Sequence, residues 1–139
     1  MIPHRYGLAA LLLLCVSLHA GAVEIVVNPS IKQQTLTLNT LRAIFSMRMT
    51  QWPDGTPIRV FVLGDKNPEH AAFSKQILGV FPHQLRRAWN RQIYSGTGQA
   101  PNKVDTTAEM RYQIEKTPGA IGYLPKEQIN GHIRTIEIE

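Results

Sequence analysis

Cysteine is nearly missing from these 139 residues: Cys15 stands alone, inside a segment that the chain's start marks for removal. A disulfide framework is therefore excluded, and the fold must hold by its apolar core. Long hydrophobic runs are missing as well. Residues 7–16 are continuously apolar, but ten residues are too few for a membrane span, and no later run is long enough either. A strong charge of one sign is absent. The formal net charge of +5 falls to +4 once Arg5 is lost, and the basic residues are mostly dispersed, which argues against a nucleic-acid partner. The densest basic group, Arg86, Arg87 and Arg91, reads as a solvated helix face. No Gly-x-Ser-x-Gly elbow, phosphate-cradling Walker loop or dinucleotide fingerprint occurs. Asp54, Asp65 and Asp105 sit in turns, where Asp is expected for its own hydrogen bonding. His70, His83 and His132 have no ligand spacing and no cysteine to join them. No catalytic residue, metal or cofactor is expected, and the chain reads as a non-enzyme.

What is present begins with an export signal. His4 and Arg5 give a positive start, the apolar run follows, and Ala20-Gly21-Ala22 has the small-x-small pattern of a cleavage site. Residues 1–22 are predicted to be a cleaved signal peptide, with Ala20 the second choice of cleavage site. Leu14 is too bulky before Cys15 for a lipoprotein signal. Residues 23–139 then make one domain, with the periplasm as its default compartment.

Along that domain, EIVVN (24–28) reads as a strand. Thr37 or Asn39 caps a helix ending at Phe45, and QWPDGTP (51–57) is a turn cluster. IRVFVL (58–63) is the strongest strand signal. Asn67 and Pro68 open a helix whose Ala72, Phe73, Gln76, Ile77 and Val80 share a face. Pro82 opens another through about Gln92, and 94–102 is a loop. Thr106 and Glu109 form a capping box for a helix through Lys116, which Pro118 and Gly119 stop. AIGYL (120–124) is a strand covered on both faces, with Gly122 allowing close approach of a neighbour. Residues 133–138 form a last strand. Strands separated by helices predict an α/β sandwich around a mixed or mostly parallel sheet.

Three stretches carry a resemblance: LTLNTLRAIFSMRMTQWPDGTPI (36–58), Trp89 followed by SGTGQAP (95–101), and IEKTPGAIGYL (114–124). In this order they resemble the phosphate-binding-protein-like family, periplasmic solute-binding proteins similar to those serving phosphate ABC importers. The resemblance covers nearly the whole mature chain. It implies a single-lobe, periplasmic-binding-protein type II-like three-layer sandwich, since full-length members have two lobes around a ligand cleft. It also implies a solute-binding role. The chain departs from the pattern at LGDKNPEHAAF (63–73), where such relatives carry an Arg and a Ser-Gly-Thr turn. Here Leu63 stands near the Arg position, Pro68 has no N–H to give, and Glu69 puts a negative charge where an anion would sit.

Two stretches remain as candidate ligand sites. Lys66, Asn67 and His70 lie at a helix start beside a strand end, where α/β sheets bind ligands. Ser95, Gly96 and Thr97, with Gly98, have the composition of a small anion nest. The expected function is periplasmic solute binding, resembling the substrate-binding component of a phosphate ABC transporter, with weak hold on an oxyanion or small polar solute. A transporter partner or a homodimer would supply the second wall. The alternative is a non-enzymatic interaction module docking on a membrane sensor or envelope complex, which predicts an apolar surface near Trp52, Phe61 or Phe81.

Overall fold

The protein is described by a computed structural model covering residues 22–96 and 98–139. The predicted signal segment up to residue 21 and Thr97 lie outside the described residues. In chain order the elements are β1 (Val23–Val27), β2 (Thr35–Leu36), α1 (Leu38–Phe45), β3 (Arg59–Val62) and α2 (Pro68–Ala72). After α2 come a π-helical segment (Phe73–Leu78), α3 (Pro82–Tyr94), β4 (Asn102–Lys103), α4 (Thr107–Lys116) and β5 (Ala120–Pro125). The chain closes with a 3₁₀ turn (Lys126–Gln128), β6 (Arg134–Thr135) and β7 (Glu137–Ile138). Among the described residues no helix is long and apolar enough to cross a membrane.

The main sheet has the strand order β4-β3-β5-β1-β6. β3 runs parallel to β4 and β5, whereas β1 is antiparallel to β5 and β6, so β1 alone opposes the other strands. β2 and β7 pair in parallel as a separate small sheet. The central β5 is buried at every position, which is why its sequence is nearly all apolar. Consecutive residues of a strand face opposite ways, and β5 uses this to meet two helical layers. On one face α4 comes so close to Gly122 that a Cβ there would lie 2.6 Å from Met110 Sδ. On the other, Tyr123 stacks on Phe73 at 4.0 Å between ring centres and lies 6.2 Å from the ring of Phe45 in α1. The mixed, mostly parallel α/β sandwich expected from the sequence is the architecture found.

Local signals act as their chemistry dictates. Thr37, not Asn39, caps α1 by accepting from the Thr40 amide at 3.1 Å. Thr106 Oγ1 accepts from the Glu109 amide at 3.1 Å, and the Glu109 carboxylate reaches back to the Asp105 amide at 3.1 Å, one residue before the cap itself. The Asp-Gly turn closes with Asp54 accepting from the Thr56 amide at 2.9 Å and Gly55 at φ 88°.

Four expectations change. The helix after Asn67 is α-helical only to Ala72 and then widens to π geometry, which shifts its phase. Phe73, Ser74 and Leu78 therefore turn inward, while Gln76 is exposed. The last strand is broken at Ile136, so that β6 joins the main sheet and β7 the small one. β2 was not expected, and β4 arises at the end of the stretch read as a loop; pairs of residues this short carry no periodicity. Finally, α3 extends to Tyr94.

Asn28, just past β1, is one of few buried polar residues. Its amide donates to the carbonyls of Ile114 (2.9 Å) and Glu115 (3.0 Å) in the last turn of α4, and its Oδ1 accepts from the Ser30 amide at 2.8 Å. These carbonyls would otherwise lack partners at a helix end. Asn28→Ala is expected to lower stability by about 2 kcal/mol, measured by urea denaturation. An unshifted midpoint would mean that water replaces all three bonds.

Candidate functional site

β3 leaves the sheet at Leu63 and turns through Gly64, Asp65 and Lys66 into α2. Its parallel neighbour β4 ends beside it at Lys103, so the carboxyl ends of both strands open on the same side, the usual place for ligands in such sheets. α3 runs along the opening. Together they line a groove of about 620 Å³ whose polar side chains are Asp65, Lys66, Arg86, Asn90 and Lys103. Its apolar wall includes Trp89, fixed by an Nε1–H bond to the Phe45 carbonyl at 2.6 Å. Lys103 lies across Gly64, where a Cβ would be 3.3 Å from Cε. Arg86 Nη1 bonds Asp65 Oδ2 at the groove's rim.

Directly behind this rim is a buried polar cluster. His70 is fully enclosed, and its Nδ1 meets the hydroxyl of Tyr123 on β5. The Tyr123 hydroxyl also accepts from the Leu63 amide at 2.8 Å. His70 Nε2 has no hydrogen-bond partner and faces Asp65 Oδ1 at 3.7 Å. Burial lowers the His70 pKa to about 4, so the imidazole is neutral near pH 7. Burial also pushes the Tyr123 hydroxyl far up, so it stays protonated.

Ser95 and Gly96 are not among the residues that line this groove with Lys66. Lys66 lines the groove. Asn67 is the α2 N-cap, its Oδ1 accepting from the amides of Glu69 (2.9 Å) and His70 (3.4 Å). Ser95 and Gly96 form the C-terminal turn of α3. The amides of Ser95, Gly96 and Gly98 donate to Arg91, Ile93 and Gln92 carbonyls at 3.0–3.1 Å, with Gly96 at φ 74°. Thr97 lies outside the described residues.

Asp65, Arg86, Lys103 and Tyr123 join the site although the sequence reads Asp65 as a turn residue, Arg86 as part of a solvated helix face and Tyr123 as part of a covered strand, and singles out Lys103 for nothing. No local pattern in the sequence marks these four as neighbours. Of the apolar surface expected near Trp52, Phe61 and Phe81, only Phe81 is exposed; Trp52 and Phe61 belong to the core. His83 and His132 are exposed, and among the described residues no three His, Cys, Asp or Glu side chains are grouped to hold a metal.

The chain belongs to the PBP superfamily, whose domain profile matches residues 11–130. Among solved structures it is similar to an ABC-type phosphate transport receptor from Vibrio cholerae, at 16% identity and TM-score 0.65, over 85% of this chain and 46% of that one. It is also similar to a putative phosphate ABC transporter substrate-binding protein with bound phosphate from Clostridium perfringens, at 17% identity and TM-score 0.67, over 85% and 45%. A third is PstS from Borrelia burgdorferi, at 17% identity and TM-score 0.66, over 86% and 47%. The chain thus spans less than half the length of each of these structures, and at such identities the likeness is one of fold. No curated protein matches it in sequence.

Proposed function

We propose that this chain is a non-enzymatic periplasmic solute-binding lobe that holds a small oxyanion loosely in the groove between β3, β4 and α3. One observation carries the proposal: Lys66, Arg86 and Lys103 surround a single groove whose lining includes one carboxylate, Asp65. The excess positive charge favours an anion, and the Arg fork and Lys ammonium groups suit phosphate-like oxygens. The bound phosphate of the Clostridium perfringens protein supports the ligand class, and transport receptors among the structural neighbours support a binding role over catalysis. The signal-like start supports export.

Affinity in the millimolar range is expected. The first-turn amides of α2 are held by Asn67, and Arg86 already has a partner in Asp65. Calorimetry of the mature chain with inorganic phosphate at low salt tests this. Binding that weakens about fivefold in Lys66→Ala and in Arg86→Ala is the expected result. No heat at tens of millimolar phosphate would end the proposal.

A second reading is a docking module for a membrane sensor or transporter. Its support is the two ends of α3, where Phe81 at the N-cap is 55% exposed and Tyr94 at the last position 87% exposed. A membrane pull-down whose partner is lost in a Phe81→Ser, Tyr94→Ser double variant would favour it.

A further inference from the structure

We infer that Asp65 is a carboxylate shared between two donors, Arg86 in the groove and His70 in the core, so that an anion taking Arg86 hands Asp65 over to His70. The inference rests on the groove proposed above, but its central pairing can be tested without a ligand.

The hydrogen bonds at the Tyr123 hydroxyl place the donor. The Leu63 backbone N–H donates to the Tyr123 oxygen. The Tyr123 hydroxyl proton then has the His70 Nδ1 as its acceptor. Nδ1 must therefore be bare, and the ring proton sits on Nε2. That N–H is buried without a hydrogen bond, and the Asp65 carboxylate faces it with Oδ1 at 3.7 Å. A gap of that size is too long for a hydrogen bond, and a small rotation of the partly exposed Asp65 closes it. Asp65 is held away by Arg86 on its other oxygen.

The two holds differ in kind. The Arg86 side chain is 54% exposed, so its bond to Asp65 competes with water and is readily exchanged for a more highly charged oxyanion. The His70 N–H has no such alternative, and an unmet buried donor gains most from a new acceptor. Titratable and charged groups around the imidazole are Asp65 before α2, Glu69 beside it in α2, Tyr123 on β5 and, through Asp65, Arg86 on α3. His70 is thus a positioning residue: it receives the carboxylate that would otherwise repel an anion at the rim.

Imidazole NMR of the mature chain reads this directly. In Arg86→Ala without any ligand, Asp65 is released to His70, and the His70 ring pKa should rise by about one unit or more. Asp65→Asn added to Arg86→Ala should abolish the rise. In the unsubstituted protein, inorganic phosphate should move the His70 Hε2 signal downfield in step with the Lys66 amide. An unchanged His70 pKa in Arg86→Ala overturns the inference. A Lys66 response to phosphate with a silent His70 also overturns it, while leaving the oxyanion groove standing. A His70 response in Arg86→Ala with no phosphate effect anywhere supports the shared carboxylate and sinks the oxyanion proposal instead.

Discussion

Lowering the pH from 7 to 4 is expected to cost this fold about 3 kcal/mol through His70 alone. The ring is neutral and enclosed in the folded protein, with its pKa lowered from 6.5 to about 4 by burial. In the unfolded chain it titrates at the ordinary value. The neutral form therefore contributes full stability above about pH 6.5. Below that, the unfolded state takes up a proton that the folded state refuses, and stability falls until the pH passes below about 4, where the folded ring takes up its proton as well. At about 1.4 kcal/mol per unit, the gap between the two values sets the total. Asp54 does not confuse this window, because the Thr56 hydrogen bonds hold its pKa below its ordinary 3.8. Urea unfolding at a series of pH values should show the slope, and a His70→Phe variant should flatten it between 6.5 and 4. If that variant does not fold, the imidazole NMR titration of the unsubstituted chain decides. A ring that protonates near 6.5 in the folded protein would overturn the prediction.

Gly119→Ala should be of similar or greater severity, about 3 kcal/mol or more. Two separate penalties meet at this residue. Its φ of 79° disfavours any Cβ, and a Cβ there would lie 2.3 Å from the Pro57 carbonyl oxygen. Neither backbone has room to yield. The Gly119 carbonyl accepts from Trp52 Nε1 at 3.0 Å and from the Arg59 amide at 3.1 Å, which clamps it against the 51–57 turn and the start of β3. Gly55→Ala provides the comparison. Gly55 has φ 88° but nothing within 4 Å of its Cβ position, so only the conformational penalty of about 1 kcal/mol should appear. Urea midpoints followed by tryptophan fluorescence separate the two effects. Equal losses in the two variants would mean that the Pro57 contact relaxes freely.

The TPGAIGYLP stretch thus serves two ends that the sequence showed unequally. Its glycines are legible, since a helix stop and a close helix approach call for residues without side chains, and both occur at Gly119 and Gly122. Tyr123 is different. In the sequence it is one more large residue in a buried strand, but in the fold its hydroxyl joins Leu63, 60 positions away, to His70, 53 positions away. No local pattern encodes a pairing at that distance. The same holds for Arg86 and Asp65, whose bond spans 21 residues. The π-helical stretch shows a related limit: helical periodicity assumes a constant turn, and the wider turn from Phe73 rephases the residues that follow.

What the amino-acid sequence determined by itself is the alternation of strands and helices, their capped ends, the tight turns and the family. Each of these depends on residues within a few positions of one another, or on their order along the chain. Tertiary structure alone decided that Lys66, Arg86 and Lys103 share one groove and that His70 sits behind it with an unmet N–H. Those neighbours are created when β4 lies beside β3 and β5 brings Tyr123 under α2, and strand pairing of that kind is set by burial of the whole core rather than by any short segment.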